Sequence, residues 1–354
     1  MRIVYIGPIA KAGMPAIGGY EAANRKNIDT LKKRGIDVVE IANPLINHQY
    51  GSIAKLAYVK LLFIPFKLLR YRHAKETAIH TTPLYKNLLW PSVLTVWAAK
   101  RLRLPVVVDI RAGSLIKLVK MRSSLWRRGV RYMLNAADAI TAEGKSYVKD
   151  IPATFGVEKE IHYLPNITFC DQSTFTPRKG EHINMIYFGR ITKHKGVDLL
   201  LDMMEQLDDR YRLYLAGHIL SDISAEEIKR EKVIYLGALT HEELFKQLAH
   251  MHIFLFPTKW FGEGQSNSLI EAMQQGLIPI ASDHGFNKDV VSDCGVILPA
   301  EADATQYAAA VANVAKGDLN AMGRNAMEHI KEHHNIDNWI EKLITIYKEI
   351  IPKS

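Results

Sequence analysis

Short apolar runs alternate with amphipathic stretches along the whole chain. "RIVYIG" (2–7), "DVVEIA" (37–42), "TAIHTT" (77–82), "PVVVDI" (105–110), "DAITAE" (138–143) and "EIHYLPN" (160–166) read as strands. So do "NMIYFG" (184–189), "YRLYLAG" (211–217), "KVIYLG" (232–237), "HIFLFP" (252–257) and "LIPIAS" (277–282). Most are β-branched or aromatic and end at Gly, Pro, Asn or Asp. Between them lie helical patterns such as "EAANRKNIDTLKKRG", stopped at Gly35, and "HEELFKQLAHM". Strand–helix–strand repetition predicts an α/β protein with parallel sheets covered by helices. That many strands overfill one open sheet, and 354 residues suffice for two cores. Two doubly wound, Rossmann-like domains are expected, 1–168 and 169–335, with the boundary in the polar stretch "FCDQSTFTPRKGEH" (169–182). Ligands of such domains bind at the carboxyl ends of strands.

Composition is that of an ordinary globular protein, 48% hydrophobic and 23% charged. The opening apolar run is too short for a signal-peptide core, and Cys170 and Cys294 have neither disulfide-framework nor metal-ligand spacing. These features predict a cytoplasmic protein. The net charge of +9 is uneven: residues 1–165 hold 27 Lys and Arg against 11 Asp and Glu, while the remainder is acidic. A basic half suits an anionic lipid, a phosphorylated substrate or nucleic acid. No zinc-finger spacing or aromatic RNA-binding motif supports the last of these.

Candidate chemistry lies at strand ends. "MIYFGRITKHKG" follows a strand with Gly189, Arg190 and Lys195, where a planar guanidinium fork, a mobile ammonium and close backbone approach suit a phosphate; a solvated basic loop is the plain alternative. "FGEGQSNSLIEAM" (261–273) presents Glu263 and Gly264 in a turn. A helix then starts near Ser266–Ser268, and Glu271 lies one turn inside it. Free amides at such a start bind anions, and a carboxylate accepts hydrogen bonds from vicinal hydroxyls. Gly18 and Gly19 open the first helix without the G-x-G-x-x-G fingerprint.

The glycine pair, "FGR" with "KG", "LYLAG", "VIYLG" and "EGQSNSLIEAMQQGLIPIAS" occur in the order that resembles the retaining, GT-B fold glycosyltransferases of family 4. "YLPN" (163–166) resembles the strand end before that family's linker. "NIDNWIEKLITIYKEI" resembles its closing helix, about 336–351, which packs back on the N-terminal domain. The resemblance implies two domains facing a central cleft. It implies that Arg190 and Lys195 neutralise a donor diphosphate, that Glu271 holds ribose hydroxyls, and that Glu263 contacts the transferred sugar. Gly18, Gly19, Gly189 and the segment Gly264, Gln265, Ser266, Asn267, Ser268 and Leu269 would complete the donor cradle. Gln265 and Ser266 stand where the family often has Phe-Gly. Arg111 stands near the family's strand-end histidine, with Asp109 two residues before and His80 as an alternative on the acceptor side; a lone strand-end histidine is more often structural, and a plain Asp109–Arg111 pair is the bland reading of the other two.

No Asp-x-Asp pair occurs in the sequence, so no metal or other cofactor is expected. The implied activity is transfer of a sugar from a UDP- or GDP-type donor to a glycan or polyprenyl-diphosphate-linked acceptor, in bacterial surface polysaccharide (O-antigen, capsule) or lipopolysaccharide synthesis. Residues 53–75 and 115–134 interleave cations with large apolar side chains. They suit helices lying on an anionic membrane surface, on the inner face of the cytoplasmic membrane. A nucleotide-sugar epimerase and a basic nucleic-acid-binding protein are the competing readings.

Overall fold

The computed structural model describes residues 1–13, 19–43, 59–86, 88–168 and 174–352. Gly18, residues 53–58 and part of the expected linker, 169–173, lie outside them. Contacts divide the chain into two units: Met1–Ile167 together with Ile336–Ser354, and Thr168–Asn335.

Unit 1 holds a six-stranded parallel sheet in the order β2-β1-β3-β4-β5-β6. The strands are β1 (Arg2–Gly7), β2 (Asp37–Ala42), β3 (Thr77–Thr81), β4 (Val106–Ile110), β5 (Ala139–Ala142) and β6 (Ile161–Tyr163). β3, β4 and β5 are buried at every position, as expected of parallel strands covered on both faces. The helix Gly19–Lys33 leads from β1 to β2 and stops before Gly35, whose φ of +77° suits glycine. The helix Ile336–Ile350 buries Ile336, Trp339, Ile340, Leu343, Ile344 and Tyr347, a 3.6-residue stripe that shares one core with Ile3, Tyr5 and Val107. Arg34 ties its first turns through Asp337 and Glu341.

A polar network runs through this core. His80 on β3 has its Nδ1 2.7 Å from the Tyr347 hydroxyl and its Nε2 3.4 Å from Asp109 Oδ2. Thr141 donates to Asp109 Oδ1, and Arg111 Nε donates to Asp109 Oδ2, both at 2.7 Å. Arg111 also donates to Asn166. Burial holds the His80 imidazole below its usual pKa against the pull of Asp109. Burial raises the Asp109 carboxyl, but the Arg111 charge and His80 outweigh it and bring it to about 2. His80, Asp109 and Arg111, expected on the acceptor side, are therefore core residues: two are fully buried and Arg111 is 6% exposed. The bland alternative, an Asp109–Arg111 pair, is what the fold contains.

Unit 2 carries β7 (Ile183–Phe188), β8 (Tyr211–Ala216), β9 (Val233–Gly237), β10 (Ile253–Phe256), β11 (Ile278–Ser282) and β12 (Val296–Leu298), all parallel. The sequence pattern missed β12, which is three residues long and only half-buried. The order is β12-β11-β10-β7-β8-β9. Strand order reverses between β7 and β10, which places a crevice at their carboxyl ends. Gly217, with φ of +140°, closes β8 so tightly on β7 that a Cβ there would overlap the Gly189 carbonyl.

Of the two basic-apolar stretches, the described part of the first is helical at 59–62 and then forms the short helix Ile64–Lys67, with Pro65 in its first turn, followed by a 3₁₀ turn at Leu68–Tyr71. The second divides into Leu115–Val119 and Ser124–Ala136, the latter capped by Ser123 accepting from the Trp126 amide. No helix among the described residues is long and apolar enough to cross a membrane.

Two stability outcomes follow. His80 protonates more readily unfolded than folded, so its contribution is complete above the unfolded value of about 6.5. It falls as pH drops through that value, by up to about 1.4 kcal/mol per pH unit, whereas Asp109's contribution is lost only between pH 3.8 and 2. Urea titrations of wild type and Tyr347→Phe across pH 5–8 check this. The variant strips Nδ1 of the imidazole of its partner and loses about 1–3 kcal/mol at neutral pH. Gly217→Ala destabilises unit 2 by a similar or larger amount, read as a lower urea midpoint.

Candidate active site

The two loops at the switch point are built from opposite sides. After β7, Gly189 (φ +139°) turns the chain, and the Tyr187 hydroxyl donates to the Arg190 carbonyl at 2.8 Å. Thr192 then caps a single 3₁₀ turn, Lys193–Lys195, and donates to Asp222. Gly196 closes it with φ of +74°, at a point where a Cβ would overlap the Pro257 carbonyl. The β7 loop is thereby pressed onto the start of the β10 loop.

After β10, Thr258, Trp260 and Glu263 form a turn in which the Glu263 amide donates to the Trp260 carbonyl at 2.9 Å. His284 Nε2 lies 2.9 Å from that same carbonyl, and the Ser282 hydroxyl donates to the Thr258 carbonyl at 2.8 Å. The loop after β11 thus braces the turn from behind. Gly285 (φ +60°) allows this, since a Cβ there would sit 2.7 Å from the Glu263 carbonyl oxygen. Ser266 caps the helix Asn267–Gln274, accepting from the Leu269 amide, and its hydroxyl is 2.9 Å from that of Ser268. Glu271, half-buried, is the fifth residue of that helix.

Lys195 and Glu263 meet across the two loops as an ion pair, each side chain 11% exposed, and Thr258 donates to the same Glu263 oxygen at 2.7 Å. Arg190 stays exposed with its guanidinium 5.0 Å from the centre of the Trp260 ring. Arg190, Lys195 and Glu263 are therefore joined through one turn, and the amides of the Asn267–Gln274 helix begin beside it. Such an arrangement offers two cations, one carboxylate and the start of a helix at the carboxyl end of one sheet, a setting for an anion flanked by hydroxyls. Gln265 and Ser266 are buried rather than facing solvent, so their side chains shape the turn. Thr258, Trp260 and His284 were not singled out from the sequence. Trp260 is the one with a signal, an indole three residues before Glu263. Gly19 is the exposed first residue of its helix in unit 1, far along the chain from these loops. Among the described residues, metal-ligating side chains gather at Asp293, Cys294 and His329, which belong to neither loop.

Residues 182–316 match the family model described as glycosyl transferases group 1. The chain is 31% identical over 312 residues to an uncharacterized 41.2 kDa protein in the cps region of Klebsiella pneumoniae, covering 83% of this chain and 84% of that one. It is 23% identical over 315 residues to one of the subunits of the phosphatidylinositol N-acetylglucosaminyltransferase of Homo sapiens, covering 80% of this chain but only 63% of the human protein's length. Among solved structures, HepE from Anabaena in complex with UDP superposes with a TM-score of 0.73 over 99% of this chain and 100% of its own, at 14% identity. The paired α/β sheets are those of the GT-B fold, and the chain belongs to the group 1 glycosyl transferases.

Proposed function

We propose that this glycosyltransferase moves a sugar, with retention at the anomeric carbon, from a UDP- or GDP-type donor to a hydroxyl of a glycan or polyprenyl-diphosphate-linked acceptor in surface polysaccharide synthesis. The observation that carries the donor reading is the Lys195–Glu263 pair at the switch point, with Arg190 and the start of the Asn267–Gln274 helix beside it. The UDP in the HepE structure supports the donor class, the lipid acceptor in the human relative's name supports an acceptor carried on a lipid, and the cps-region relative supports the pathway class.

Cleaving a sugar–phosphate bond leaves negative charge on the departing diphosphate. Only groups that meet this growing charge lower the barrier. Lys195 is suited to do so because Glu263 and the walls of the two loops hold its ammonium in place before the donor arrives. Arg190, exposed beside Trp260, adds a planar fork for phosphate oxygens. Lys195 and Thr258 both engage Glu263 Oε2, so Oε1 is the atom that accepts from a hydroxyl of the transferred sugar. Glu271, one turn into the helix, takes the ribose hydroxyls, and the amides of 264–269 cradle the phosphates between them. These cations and amides supply the compensation a divalent metal gives elsewhere. Transfer is read as metal-independent, in keeping with the lack of an Asp-x-Asp pair in the sequence.

Lys195→Ala and Arg190→Ala each lower kcat by about 10²-fold or more if each acts as one preorganised donor. Steady-state transfer with a radiolabelled donor measures it, and wild-type rates in either variant remove that residue from the mechanism. Glu263→Gln keeps the shape but frees the Lys195 ammonium, so both kcat and donor KM worsen. Activity persists in excess EDTA; a loss restored by Mn²⁺ overturns the metal-independent reading. Isomerised donor without any acceptor would instead point to an epimerase.

A further inference from the structure

We propose that the outer faces of the helices Ile64–Lys67, Leu89–Arg101 and Ser124–Ala136 form one surface of unit 1 that inserts into the headgroup region of an anionic bilayer. It names a surface for the lipid-borne acceptor proposed above, yet stands apart from the donor chemistry.

The Leu89–Arg101 helix carries the case. Its sequence, "LWPSVLTVWAAKR", has no charge until its last two residues. One side buries Leu89, Val93 and Val96. The other shows Trp90, Leu94 and Trp97 at helical spacing, ending in Arg101, whose guanidinium lies 5.6 Å from the centre of a Trp97 ring. A helix facing water on one side has a polar stripe there; an apolar stripe on both sides needs a second apolar medium. The patch does not stop at this helix. The Trp90 ring packs within about 3.1 Å of where a Cβ on Gly129 would stand, so the Ser124–Ala136 helix is its immediate neighbour, and Leu125 on that helix and Met121 just before it add exposed apolar side chains, at 60% and 67% exposure. On the other flank the Ile64–Lys67 helix contacts it and adds Phe63 and Phe66, rings 5.8 Å apart, together with Leu69.

Charge names the occupant. Residues 59–136 contain 16 Lys and Arg against two acids, Glu76 and Asp109, and Asp109 is buried. Lys60, Lys67, Arg70, Arg101, Lys120, Arg122, Arg127 and Arg128 are exposed or half-buried on these helices and the turns beside them. A second copy of this chain would set cation against cation across the contact. An anionic membrane offers phosphates to the rim and acyl chains to the indoles, the setting in which Trp and basic side chains concentrate.

The test uses the whole chain with phosphatidylcholine vesicles, with and without phosphatidylglycerol, at low and physiological salt. Flotation with the anionic vesicles is expected, with a blue shift of indole emission and quenching by brominated lipid that is lost in Trp90→Phe/Trp97→Phe. Leu94→Glu/Trp97→Glu lowers partitioning at least tenfold. Arg127→Glu/Arg128→Glu lowers the preference for anionic vesicles by roughly fivefold or more per cation. Both variants keep the wild-type thermal shift with UDP, which separates this surface from the donor site. Should either fail to fold, Phe63→Ser/Phe66→Ser repeats the apolar arm from the neighbouring helix. Protein left unfloated at both salt concentrations overturns the proposal. So does binding without the emission shift and quenching, or lipid-free self-association abolished by Leu94→Glu/Trp97→Glu.

Discussion

An ammonium and a carboxylate drawn almost out of water, Lys195 and Glu263, bind the two loops at the centre of the second sheet. Removing either ion from water costs several kcal/mol, and the pair is tolerated because each offsets the other and Thr258 satisfies a further lone pair. The strand order makes the meeting possible, since β7 and β10 are neighbours in space although β8 and β9 come between them along the chain. Gly196 and Gly285 make it tight, for each removes a Cβ that would hold the loops or their brace apart. The helix that starts at Asn267 inherits its position from this turn. The charge arrangement of the two loops is fixed by the fold itself.

Much of this could be read in advance. The strand "IFLF" is a continuous apolar run, and glycine after a strand marks a loop that must turn sharply. The Ser266 cap and the position of Glu271 follow from local helix chemistry, which acts over a few residues and is therefore written in them. Glu263 and Lys195 were each visible, but not that they pair, because nothing local records a contact 68 residues apart. His284 acts by bracing the Trp260 backbone carbonyl, and bracing leaves no motif.

For His80, Asp109 and Arg111 the sequence offers a structural reading beside the acceptor-side one, and what separates the two is not local. A titratable residue at the end of a strand reads as available to substrate, but a sheet covered on both faces has interior ends as well. Tyr347, 267 positions away, is what turns His80 into a core residue, and no pattern near His80 announces it. The Leu89–Arg101 helix was passed over for the opposite reason. It lacks the interleaved cations that drew notice at 53–75 and 115–134, and its own signal is the missing polar face, which shows only once the fold says which side is out.

The Ile336–Ile350 helix completes the core begun by Ile3 and Tyr5, so unit 2 is an insertion between two pieces of unit 1. Its own contacts are contained within Thr168–Asn335, and that stretch can reach its native packing on the ribosome as soon as it emerges. The first sheet has to wait, with Tyr5, Leu31 and Val38 short of their partners, until a segment some three hundred residues downstream is made. During synthesis the first domain to appear is thus the last to be finished, and its half-built apolar face is what a chaperone would meet.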